Sequence, residues 1–111
     1  MGKFVKGDVV VLLFPFSDLR ASKKRPALVI APIRPHDDLI LCMITSRNTK
    51  DASALPLTRA DFTSGGLSSE SNVRPNLMFT ADSTIVVRRA GRLSPGKVET
   101  VVTEIVKIVS A

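Results

Sequence analysis

The chain has 111 residues, 44% hydrophobic and 23% charged, a balance that excludes a disordered or collagen-like polymer and fits one domain over residues 1–111. Sixteen Lys and Arg against ten Asp and Glu give a net charge of +6, which suits a polyanionic partner. A single cysteine, Cys42, excludes an internal disulfide and the usual cysteine-based metal sites.

In chain order, Met1 to Asp8 mixes Lys3 and Lys6 with two glycines and has no apolar h-region, so no signal peptide is expected. No apolar run approaches the ~20 residues that cross a bilayer. Together these predict a soluble, cytoplasmic protein. Gly7 and Asp8 read as a turn into a strand, Val9 to Phe14, whose unbroken apolar run predicts burial on both faces. Pro15 ends it. Ser17 to Lys24 reads as a polar loop. Within it and just beyond, Arg20 to Arg25 holds four bases and no acid.

Pro26 pushes Arg25 toward extended geometry, and Ala27 to Ile30 reads as a second strand. Pro32, Pro35, His36, Asp37 and Asp38 form a turn cluster. Leu39 to Ile44 reads as a third strand ending at Thr45 and Ser46. Leu55-Pro56-Leu57 predicts a short edge strand. Thr58 to Gly66 reads as a loop with one helical turn around Ala60 to Phe62. Pro75 predicts that any strand over Val73 to Phe79 is edge-like or broken. Asp82-Ser83 is a turn, and Thr84 to Arg88 is a strand that Gly91 ends.

The last element carries the clearest pattern. Ser94 is an N-cap type and Pro95 suits the first helical position. Val98, Val101, Val102, Ile105, Ile108 and Val109 then fall at offsets 0, 3, 4, 7, 10 and 11, one stripe of an amphipathic helix. Several short strands followed by one helix predict a mainly β fold, a small barrel or strongly bent sheet with the helix packed on it.

Catalytic signatures are sparse. The chain has no phosphate-cradling GxGxxG or GxxxxGK[ST]. Gly65-Gly66 reads as a turn. The lone histidine, His36, reads as a turn residue, and with one cysteine it builds no familiar nucleophilic arrangement. The polar toolkit is therefore Arg, Lys, Thr and Ser, which fits electrostatic handling of a phosphate. If the second and third strands form a hairpin through the Pro32 to Asp38 turn, Arg25 begins one strand and Thr45 ends the other. Both then lie at the edge opposite the turn. That pairing fits a guanidinium and a hydroxyl facing one groove, or a surface cation beside a strand-end hydroxyl.

Several segments resemble the MazF/PemK-like toxins of type II toxin–antitoxin systems. They are Gly7-Asp8-Val9-Val10, Lys24-Arg25-Pro26-Ala27-Leu28-Val29-Ile30, Arg74-Pro75-Asn76 with Phe79-Thr80, and Gly91-Arg92-Leu93-Ser94-Pro95 before the helix. The resemblance implies an SH3-like barrel, a homodimer, and a sequence-specific endoribonuclease that uses no metal or other cofactor. It implies single-stranded RNA as substrate and a small acidic antitoxin with a disordered tail, joined to operator DNA only as a complex. By the same resemblance Arg25 matches the family's catalytic arginine and Thr45 its catalytic threonine.

Candidate RNA contacts also follow from the resemblance. Ser17, Arg20, Lys23 and Lys24 lie in the basic loop, and Ser46 stands beside Thr45. Phe16 is a candidate for base stacking, or equally a core or interface aromatic. Arg74 and Asn76 are candidates for RNA or for the second subunit. One departure stands out. Many relatives carry an acid five residues before the arginine, where this chain has Arg20, with Asp18 the nearest acid. Two readings of another class stay open: a topoisomerase poison on the same barrel, and a silent DNA-binding corepressor.

Overall fold

The computed structural model describes residues 4–15, 22–35, 37–46 and 50–111. In chain order it holds β1 (Asp8–Pro15), β2 (Ser22–Ile33), β3 (Asp38–Ser46), β4 (Leu55–Leu57), a 3₁₀ turn (Arg59–Asp61) and β5 (Phe62–Gly65). Then come β6 (Ser71–Asp82), a second 3₁₀ turn (Ser83–Ile85), β7 (Val86–Leu93) and α1 (Pro95–Ser110). The strands pair antiparallel in the order β4-β6-β3-β2-β1-β7-β5.

β4 and β5 stand at opposite ends of this order, yet only a short 3₁₀ turn joins them. A seven-stranded sheet satisfies that connection only by curling until its edges approach. The result is a half-barrel with one helix, mainly β as expected, and nearly equal in its three extents of 32, 31 and 31 Å.

Alternation along the strands gives two apolar clusters, one on each face. Val9, Leu28, Cys42, Ile44, Val73 and Leu93 are buried together with Val98, Val101 and Ile105 of α1. On the other face Val10, Leu12, Ala27, Val29, Leu39 and Leu41 pack with Phe4, Phe79 and Val86. Both faces of β1 are thus covered, as its continuous apolar run predicts, although Leu13 is exposed.

The turn before β1 ties three strands. Gly7 adopts a φ of +99°, donates its N–H to Val29 O at 2.9 Å and accepts from Leu93 N at 2.9 Å. Asp8, fully buried, accepts from the Val5 N–H and from Arg92 Nε, both at 2.9 Å, with Arg89 Nη1 at 3.7 Å. The Gly-Asp pair is therefore structural.

Several elements differ from the sequence reading. β2 already starts at Ser22, because Ser22 to Lys24, read as loop, pair with Pro15 to Leu13. Phe62–Gly65 is a strand rather than a loop, paired with β7. β7 runs through Gly91 to Leu93. Gly91 lies opposite Gly65, where a Cβ on Gly91 would meet Ser64 O at 2.6 Å, so the residue permits a close backbone crossing and does not end the strand.

β6 is continuous and interior beside β4 and β3. Pro75 sits buried in a bulge where the register moves from Met43↔Arg74 to Cys42↔Met78, so no ladder bond is lost to its missing N–H. The short edge strand β4 and the Ser94 cap, which accepts from Lys97 N at 3.3 Å, match expectation. The helical stripe is covered only in part: Val98, Val101 and Ile105 are buried, whereas Ile108 and Val109 are 36% and 71% exposed.

Candidate functional site

Register carries Arg25 and Thr45 toward each other. β2 and β3 pair Ala27 with Met43 and Leu28 with Cys42. Carried two residues further, that register sets Arg25 across from Thr45. The ladder ends at Ala27 and Met43, and residues at even spacing along a strand share a face. The face is the one that buries Ala27, Val29, Leu39 and Leu41, because Arg25 precedes Ala27 and Thr45 follows Leu41 at even spacing. Leu12 of β1, in the same cluster, pairs with Arg25. The site is thus the polar end of an otherwise apolar face. Arg25 and Thr45 are both half-buried there.

β6 completes it from the other side. Arg74 pairs with Met43 and Asn72 with Thr45, so both belong to the same face. Arg74 Nη1 donates to Thr45 Oγ1 at 3.4 Å, and its Nε donates to Asp51 Oδ2 at 2.9 Å. The Arg74 and Asp51 side chains are only 18% and 15% exposed. Asp51 Oδ1 also accepts the Ser53 N–H at 2.9 Å. That backbone donor, followed by the Arg74 and Asn76 side chains, holds the Asp51 carboxyl below the usual carboxylate range, against the opposing effect of burial. Asn72 is buried and its Nδ2 donates to Ser46 O at 3.2 Å, which ties the end of β3 to β6.

The other sequence-predicted residues divide. Lys23 and Lys24 are exposed on β2 opposite Phe14 and Leu13, and Ser46 is exposed at the end of β3. Asn76 is exposed and bonds to Asp51. Phe16, Ser17, Asp18, Arg20 and His36 lie outside the described residues. Among the described residues, no three His, Cys, Asp or Glu side chains are grouped to hold a metal ion.

This arrangement gathers a guanidinium, a hydroxyl and a second arginine that is already committed to a carboxylate. Such a set can bind an anion through Arg25 and hydrogen-bond it through Thr45, with no acid directed at it by Asp51, whose oxygens are occupied.

Comparison with known proteins gives a family match over residues 5–109 to the PemK-like, MazF-like toxin of type II toxin–antitoxin systems. The chain belongs to that family. Solved structures share the fold. A MazE–MazF complex from Deinococcus radiodurans has a TM-score of 0.77 at 18% identity, covering 96% of this chain and 96% of that one. An endoribonuclease in complex with its cognate antitoxin from a mycobacterial species has a TM-score of 0.75 at 12% identity, covering 99% and 96%. The Mycobacterium tuberculosis toxin MazF-mt6 has a TM-score of 0.71 at 20% identity, covering 93% and 96%. No curated protein sequence matches the chain.

Sequence reasoning missed one residue beside the candidate site. Asp51 lies in a polar stretch after β3, and no spacing within that stretch links it to Arg74, 23 residues on. Only the pairing of β4 with β6, which sets Leu55 opposite Val73, carries the segment before β4 to Arg74. Arg74, a candidate for RNA or for the second subunit, bonds within its own chain to Asp51 and Thr45.

Proposed function

We propose that this toxin is a sequence-specific endoribonuclease that cleaves single-stranded RNA without a metal ion. The observation that carries the reading is the placement of Arg25 and Thr45 on one sheet face, just beyond the end of the β2–β3 ladder, with Arg74 bonded to the Thr45 hydroxyl. The RNA 2′-oxygen attacks the adjacent phosphorus as its proton is removed. The bond from phosphorus to the 5′-oxygen breaks, and that oxygen takes up a proton. The products are a 2′,3′-cyclic phosphate and a 5′-hydroxyl end. Arg25 stabilises the charge that builds on the phosphorane, and Thr45 donates to a non-bridging oxygen. A guanidinium is suited to the first role because it stays charged at any working pH.

In this reading Lys23, Lys24 and Ser46, with Phe16, Ser17 and Arg20, contact the RNA, and the net charge of +6 favours its phosphates. The toxin acts in the cytoplasm as a homodimer. Its cognate antitoxin is a small acidic protein whose disordered tail covers the RNA groove, and the pair together binds operator DNA. The family membership supports the antitoxin partner. A poison that only binds a topoisomerase has no need of the Arg25 and Thr45 pair, which favours the nuclease.

Removing one preorganised donor typically costs about 10²–10³ in rate. Arg25→Ala and Thr45→Ala are each expected to lose that much in single-turnover cleavage while keeping the wild-type melting temperature. Cleavage at the wild-type rate by either variant overturns the assignment.

A further inference from the structure

The chain Asp51–Arg74–Thr45 has a direction. A threonine hydroxyl offers one proton and two acceptor lone pairs. Arg74 Nη1 donates into Thr45 Oγ1, so the hydroxyl proton is turned away from the guanidinium. Arg74 is itself fixed: its Nε lies 2.9 Å from Asp51 Oδ2, and both side chains are largely covered. Asp51 is fixed in turn by the Ser53 N–H and the Asn76 side chain. Each link uses a charge-assisted or backbone hydrogen bond, the kind that best defines geometry.

From this we infer that Asp51 is a positioning residue: by holding Arg74 it fixes the Thr45 hydroxyl as a hydrogen-bond donor toward the RNA phosphate. The inference rests on the endoribonuclease reading above. It also divides the labour between two arginines. Arg74 has its charge balanced by Asp51 and serves orientation, and Arg25 supplies the cation for the phosphate. Asn76 belongs to the same support, since it braces the carboxylate.

The test compares wild type, Asp51→Asn, Asp51→Glu, Arg74→Ala and the Asp51→Asn/Arg74→Ala double variant. One arm follows the Arg74 Nε–H resonance in ¹⁵N-labelled protein. The other measures single-turnover cleavage and, separately, affinity for an RNA blocked by a 2′-deoxy sugar at the cut site. Wild type is expected to show a distinct, slowly exchanging Arg74 signal that collapses onto those of exposed arginines in Asp51→Asn and is restored in Asp51→Glu. Misplacing a catalytic group by an ångström can cost about 10²-fold, so Asp51→Asn is expected to cleave up to about 10²-fold more slowly. Affinity for the blocked RNA stays unchanged, and in the Arg74→Ala background Asp51→Asn costs nothing further. Wild-type cleavage by Asp51→Asn, a cost that persists without Arg74, or an Arg74 signal indifferent to Asp51 overturns the inference alone. A wild-type chain that leaves every RNA whole overturns the endoribonuclease reading, and the role of Asp51 in cleavage with it.

Discussion

At Cys42, burial decides chemistry. The residue lies inside the cluster beneath α1, and loss of hydration pushes its thiol up to about 12. An unfolded thiol titrates near ~8.5. Between those values the unfolded chain has released its proton and the folded chain has kept it, so stability falls as pH rises through that window. The native toxin is therefore expected to resist iodoacetamide at about pH 8, where only the thiolate attacks. Mass spectrometry should find the label on Cys42 only after unfolding; full labelling of the native protein would contradict this. Asp8 makes the complementary point. Buried with a backbone N–H and Arg92 as partners, it shows that a motif residue shared with a family serves the fold as readily as the site.

At the level of elements, α1 tests how far a pattern predicts packing. Ile105 is buried against the sheet and Val109 is 71% exposed, although both belong to one sequence stripe. Ile105→Ala is expected to cost about 2–5 kcal/mol by chemical denaturation, whereas Val109→Ser should lie within ~0.5 kcal/mol of wild type. Equal costs would mean that the last turn is covered in the protein. The stripe was legible because a 3.6-residue period needs only local sequence; where it stops being buried depends on how far the sheet reaches beneath it. β1, β2 and β3 were legible for the same local reason, as apolar runs between turn residues. β5 and the full length of β6 were not. Phe62–Gly65 carries one apolar residue and gains its place only by pairing with β7. Pro75 signals a break that the Cys42/Met43 register shift absorbs.

Across the whole molecule, the candidate site draws on distant segments. β2 gives Arg25, β3 gives Thr45, and β6 gives Arg74, 29 residues from its hydroxyl partner. The hairpin relation of the first two could be read in the sequence from one turn and two strands. Asp51 could not, because its partner is set by a long-range register. The net charge of +6 favours the approach of phosphates to the molecule as a whole. The most direct test is to incubate the purified toxin with a long RNA in the presence of a chelator and identify the new ends. Fragments cut at a recurrent sequence and bearing 2′,3′-cyclic phosphate and 5′-hydroxyl ends are expected. Intact RNA, or fragments with 3′-hydroxyl and 5′-phosphate ends, would contradict the account.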